Sequence, residues 1–165
     1  MDAAHLAAYL QAQGLHGEIV RLPEHVPTVE DAARAMGTTA ERIIKSVLFI
    51  ADGVPVLVIA NGPARVDYKR VADYLKLSRK RVKLADAATV LAITGFAVGS
   101  VPPFGHPSRL RTLIEASVLE QPEVYGGGGA IDTLVRIAPT EIVRVTQAET
   151  VNVVASPVND SAEVE

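Results

Sequence analysis

Two apolar runs, Ile43–Ala51 and Val54–Ala60, flank the dipeptide Asp52-Gly53, and no other feature of the chain restricts its fold as strongly. Both runs are rich in Val, Ile and Leu, and Asp-Gly suits the positive φ angles of a two-residue hairpin turn, so they are expected to pair as antiparallel strands. Alternation along the first strand sets Lys45, Val47 and Phe49 on one face and Ile44, Ser46, Leu48 and Ile50 on the other. Both faces are mostly apolar, which places the hairpin at the centre of a sheet.

Lys45 is then the residue at odds with its surroundings. Burying an ammonium without a partner is costly, so the side chain must reach water at the strand entry, meet an acid, or face an anionic ligand.

The elements around the hairpin follow from spacing and capping. Residues 2 to 13 read as a short amphipathic helix with Leu6, Tyr9 and Leu10 on one face, ending near Gly14. Glu18 to Leu22 reads as a strand. Thr28 caps a second helix with Asp31 in its first turn, Ala32, Ala33 and Met36 as its buried face and Gly37 at its end. Asn61-Gly62-Pro63 breaks the hairpin's second run, and Asp67 to Leu77 reads as a basic helix with Val71, Tyr74 and Leu75 inward. Asp86 caps Ala87 to Ile93, closed by Gly95. Residues 99 to 107, Gly-Ser-Val-Pro-Pro-Phe-Gly-His-Pro, form a rigid irregular loop, because the prolines fix φ and remove donors. Leu110 to Leu119 and Thr133 to Ile137 read as strands, and Pro139 to Thr146 as a closing helix. One domain over residues 1–155 is expected, followed by a small, acidic, flexible tail at 156–165.

Composition removes several kinds of chemistry. With 48% hydrophobic but only 4% aromatic residues, the core must be aliphatic. No cysteine is present, which excludes disulfides, thiolate nucleophiles and cysteine-based metal sites. His5, His16 and His25 are scattered, so no metal site is expected. The start of the chain lacks the pattern of a signal peptide and no apolar run reaches the roughly 18 residues of a membrane span, which makes a cytoplasmic location the expectation.

Charge is unevenly spread. Residues 65 to 83 hold eight basic and two acidic side chains, a local +6 within a chain of net −3, so the remainder carries −9. Such a stripe is either the solvated face of a helix and its following loop or a docking surface for a polyanion. It contains no sequence-specific DNA motif.

The run Tyr125-Gly126-Gly127-Gly128-Gly129-Ala130 has two readings. It is a loose turn or bulge, or it is a row of exposed backbone N–H groups able to reach phosphate or carbonyl oxygen. It is not a nucleotide loop, since neither Gly-Lys-Ser/Thr nor Gly-x-Gly-x-x-Gly occurs. No serine lies in Gly-x-Ser-x-Gly. His106 either braces its own loop or acts as a general base.

Taken in order, Thr28-Val29-Glu30-Asp31-Ala32-Ala33, Ile44-Lys45-Ser46-Val47, residues 98–106, Tyr125 to Gly129 and Ile137-Ala138-Pro139 resemble the YbaK/EbsC family, whose domain also occurs as the editing insertion of bacterial prolyl-tRNA synthetases. The resemblance spans roughly residues 20 to 147. It implies a compact mixed α/β (α+β) domain with a barrel-like sheet and flanking helices, without a cofactor, that hydrolyses the ester of mischarged tRNA. By the same resemblance Lys45 binds the phosphate near the terminal adenosine, and Gly99, Gly127 and Gly128 join it in catalysis. Ser46, Ser100, Val101, Pro102, Phe104, His106, Gly126 and Gly129 would contact substrate. Arg65, Lys69, Arg70, Arg79, Lys80 and Arg81 would carry the acceptor end. Family members often have an acid after the glycine run; Asp132 is nearby, but its distance from Pro139 departs from that position.

Hydrolysis of an activated ester needs positioning and oxyanion stabilisation more than a strong nucleophile, which suits this sparse inventory. The expected activity is therefore a free-standing deacylase for a small aminoacyl group such as Ala, Cys, Ser or Thr, with tRNA and an aminoacyl-tRNA synthetase as partners and neither DNA nor a membrane. A non-catalytic tRNA- or nucleotide-binding module and a small-molecule esterase are the competing readings.

Overall fold

A computed structural model describes residues 1–23 and 28–155. The expected tail at 156–165 and His25 lie outside the described residues. Among the described residues, eight strands form two sheets. The larger has the order β4-β2-β3-β5-β8, built from β2 (Ile44–Ala51), β3 (Val54–Asn61), β4 (Val82–Leu84), β5 (Arg111–Glu115) and β8 (Glu149–Val151). The smaller, β1-β7-β6, joins β1 (Glu18–Arg21), β6 (Val124–Gly127) and β7 (Thr133–Ile137). The expected barrel-like sheet is thus two open sheets, linked by one parallel bridge between Ile43 and Tyr125.

The hairpin forms as its sequence dictates. Asp52 and Gly53 both have positive φ, 50° and 81°, and register pairs Ile44 with Asn61 through Ala51 with Val54. β3 then pairs in parallel with β5, and β5 with β8. Residues 56–60 of β3 are at most 2% exposed, and burying each of the Val, Leu and Ile side chains among them stabilises the fold by about 1.5–3 kcal/mol. A charge at Leu57 or Val58 would have no solvated face to turn to.

Helices cover both faces. Ile44, Ile59 and Ile114 pack with Leu6 and Leu10 of α1 (Ala3–Ala12), Val135 and Ile137 of β7, and Ile142 of α6 (Pro139–Thr146). On the same face Leu48 and Leu57 meet Val90 of α4 (Ala87–Thr94) together with Phe96 and Leu110. On the opposite face Phe49, Val58 and Leu113 pack under Val71 and Ala72 of α3 (Tyr68–Leu75). α2 (Val29–Met36) rests on a small separate cluster, Ala32 and Ala33 against Ile43 and Tyr125.

Four expectations change. Leu110–Leu119 is not one strand: β5 ends at Glu115 and Ala116–Leu119 turns into the short helix α5. Val118 of that helix is buried in the same core as Ile114 of β5. Tyr74 points outward at 40% exposure and donates a hydrogen bond to Glu149 at 2.8 Å. The segment after the basic helix contains the edge strand β4, and α6 is followed by β8.

Candidate active site

Period-two alternation carries Lys45 to the α3 side of β2, where the loop after β3 folds over it. Its Nζ donates to the carbonyl oxygens of Gly62, at 3.3 Å, and Ala64. No carboxylate pairs with it among the described residues. Half-burial of the ammonium lowers its pKa below the ordinary 10.5. An ammonium has three donors, so two carbonyls leave one for a ligand.

Lys45 borders a cavity of about 280 Å³. Ile43, Ile44 and Ser46 complete its β2 wall; Thr28, Val29 and Ala32 bring the first turn of α2; Gly99 and Val101 come from the proline-rich loop; Gly127 and Leu134 close it from β6 and β7. None of these lining side chains is acidic. The Thr28 hydroxyl caps α2 by accepting from the Asp31 N–H at 3.0 Å, so the positive end of the helix dipole meets the cavity beside Lys45. The Ser46 hydroxyl is buried and lacks a hydrogen-bond partner among the described residues.

The glycine run has a different role from a row of exposed donors. Gly126 and Gly127 lie within β6, paired with Val135 and Leu134. The Gly128 N–H donates to Thr133 O at 3.1 Å and the Gly129 N–H to Ser100 O at 3.0 Å. What the glycines supply is close approach. A Cβ on Gly127 would stand 2.3 Å from the carbonyl oxygen of Val101. The loop therefore sits directly on β6, and that contact sets one wall of the cavity. By contrast, the Gly99 and Val101 N–H groups have no acceptor among the described residues.

Of the residues expected at the site, Lys45, Ser46, Gly99, Val101 and Gly127 are brought together. Ser100 is buried behind them, donating to Ala97 O at 2.8 Å. Pro102 is buried in the loop; Phe104 and His106 face a separate cavity of about 260 Å³ beside Tyr9. His106 braces the loop: its Nε2–H donates to Pro102 O at 2.9 Å, and burial lowers its pKa and favours the neutral ring. Asp132 pairs with Arg21 at 3.1 Å, outside the cavity. Thr28, Val29, Ala32, Ile43, Ile44 and Leu134 were not expected as lining residues, although the capped start of α2 was visible as Thr28 to Ala33.

The basic residues distribute over α3, the 3-10 turn Arg79–Arg81 and the loop before α3. Lys69 pairs with Asp73 at 3.1 Å, Arg70 with Asp67 at 3.8 Å and Arg81 with Asp52 at 2.6 Å. The Arg79 guanidinium lies 4.5 Å from the centre of the Tyr68 ring. Lys80 is exposed. Arg65 borders a second cavity next to Lys45. No helix among the described residues is long and apolar enough to cross a membrane.

Residues 23–145 match the family model described as the aminoacyl-tRNA editing domain. The Bacillus subtilis protein YwhH, itself uncharacterized, is 28% identical over 116 residues, which are 70% of this chain and 72% of that protein. The proline–tRNA ligase of Leuconostoc citreum is 30% identical over 88 residues, 53% of this chain but only 15% of the ligase. Among solved structures, a candidate trans-editing enzyme for prolyl tRNA synthetase superimposes with a TM-score of 0.87 at 29% identity, covering 93% of this chain and 97% of that one.

Proposed function

This chain belongs to the aminoacyl-tRNA editing domain family, and on that premise we propose that it hydrolyses the ester of mischarged tRNA in the Lys45 cavity. The observation that carries the reading is a cavity with no acidic side chain among its described lining residues, bordered by one half-buried lysine, the first turn of α2, and Gly99 and Val101, whose N–H groups have no acceptor among the described residues. Lys45 anchors the phosphate of the terminal nucleotide. The Gly99 and Val101 N–H groups stabilise the oxyanion as water adds to the ester carbonyl. The carbon–oxygen bond to the ribose then breaks, the ribose oxygen takes a proton, and the free amino acid leaves. The neighbouring ribose hydroxyl orients the water.

A cavity of about 280 Å³ lies just below the roughly 300–1,000 Å³ of drug-sized pockets, which supports a small aminoacyl group such as Ala, Cys, Ser or Thr. One methylene is worth only about 1–3 kcal/mol, so discrimination among these is incomplete. Arg65, Lys69, Arg70, Arg79, Lys80 and Arg81 carry the acceptor end by phosphate contacts, which position RNA without reading it. An aminoacyl-tRNA synthetase as partner is supported by the likeness to prolyl-tRNA synthetase editing proteins, and a cytoplasmic location fits that work.

One observation favours a second reading, a binding module without turnover: among the described residues no carboxylate or imidazole lines the cavity to act as acid or base. The deciding assay follows ester loss from tRNAs charged with alanine, cysteine, serine, threonine and proline, beside Lys45→Ala. Selective loss that disappears in the variant establishes the deacylase. Intact esters across the panel with tRNA still bound establish the binding module. Undiminished turnover of a 2′-deoxy terminal adenosine would remove the ribose hydroxyl from the mechanism.

A further inference from the structure

Lys45 is the residue common to two cavities, the one described above and a groove of about 380 Å³ on its other side. Val47 and Phe49 follow Lys45 on the same face of β2 and line the groove, where the half-buried Val47 supplies the accessible floor. Pro63, Tyr68 and Leu84 supply its walls, with Arg65 among its lining residues. Phe49 is fully buried and meets the Tyr68 ring edge-on, with centroids 5.0 Å apart. Leu84 is 54% exposed on the short edge strand β4, so a large apolar side chain borders the groove without being covered. Apart from Lys45 and Arg65 the lining side chains are apolar or aromatic, and Arg79 stands against Tyr68.

We infer that this groove seats the nucleobase immediately upstream of the phosphate that Lys45 holds. The inference rests on the proposed reading of Lys45 as a phosphate anchor and extends it. A single-stranded RNA end crossing Lys45 has a fixed polarity: the esterified ribose lies on one side of the phosphate and the preceding nucleoside on the other. The aminoacyl cavity takes the first side, which leaves the groove for the second. An apolar floor with an aromatic edge and a cationic rim matches the flat face of a base and the charge of its backbone. The carbonyls of two of the lining residues, Gly62 and Ala64, already accept from Lys45. The groove therefore grips the face of the base without reading its edge, and recognition is tolerant of base identity.

The test titrates uncharged RNA trinucleotides ending in adenosine into the full chain, with the penultimate position cytosine, uracil, guanine or abasic. A base seated on such a floor is worth about 1–3 kcal/mol, so removing it should weaken binding about fivefold or more, while exchanging one base for another should change it far less. Leu84→Asp, at an exposed position, should erase the difference between the cytosine and abasic ligands, with Leu84→Ala reducing it partway. Equal binding of the abasic and intact ligands, a strong preference for one base, an undiminished difference in Leu84→Asp, or no binding of any trinucleotide would each overturn the groove assignment. Uncharged ligands keep this result separate from turnover. Intact esters in the deacylation assay, with the abasic effect present, would sink the deacylase reading and leave the groove standing.

Discussion

At Lys45, charge and environment oppose each other. Burial holds its pKa below 10.5, so the folded protein carries a desolvation cost while the amine is protonated, and that cost fades as pH rises through the lowered value towards 10.5. The lysine's contribution to stability therefore increases with pH across that window. Phosphate binding runs the other way, because the neutral amine no longer attracts an anion. Trinucleotide affinity should fall on the alkaline side before ordinary lysines titrate, and Lys45→Arg should move that fall to higher pH; an identical alkaline limb in both proteins would separate it from Lys45. Two glycines make a second contrast. Alanine at Gly127 meets the backbone of Val101 at 2.3 Å, and backbone cannot swing aside, so unfolding by denaturant should reveal a destabilisation of about 1–3 kcal/mol or more. Gly99 has open space around it but a φ of +91°, so alanine there should cost only about 1–2 kcal/mol of conformational strain while disturbing the donors at the cavity. Equal destabilisation at both positions would show that packing against Val101 is not what Gly127 provides. Lys45 was legible in the sequence because an ammonium in an apolar run violates a simple cost. The glycines were not, since a missing side chain says nothing about whether solvent or a neighbouring carbonyl takes the space.

Among the elements, those with local signals form where their residues specify: the Asp-Gly turn, the Thr28 and Asp86 caps, and the helices closed by Gly37 and Gly95. β4 and β8 were hidden because each is only three residues long at or beside a sheet edge and owes its existence to a partner distant in sequence. α2 and its cap supply three of the cavity's lining residues, while among the described residues its buried face packs in a small separate cluster. Its cap contributes about 1 kcal/mol. Thr28→Ala should lower stability by about that amount, while the cavity wall formed by Thr28, Val29 and Ala32 loosens. The expected signature, read from denaturation curves beside kcat/KM, is a larger fall in ester hydrolysis than a helix cap alone explains. Parallel falls in variants capped by Ser or Asn would count against it.

Taken whole, the molecule sets a cationic segment of +6 against a body of −9, yet several of its cations are already partnered by Asp52, Asp67 and Asp73. Reversing the charges of Arg79, Lys80 and Arg81 should weaken tRNA binding and flatten its salt dependence by about 0.9 in logarithmic slope for each phosphate left unneutralised. An unchanged slope would place the RNA on another face. The mixed α/β class was legible from the alternation of element types, whereas the two-sheet arrangement was not, because it rests on pairings such as β1 with β7 that link the ends of the chain. Those same pairings give the cavity a history. Its walls come from residues near 28, 45, 100, 127 and 134, so the hairpin can close early with its own residues alone while the cavity waits for strands far along the chain. The first hundred residues of the chain contain Lys45 but neither Gly127 nor Leu134, so the pocket stays incomplete until β6 and β7 dock.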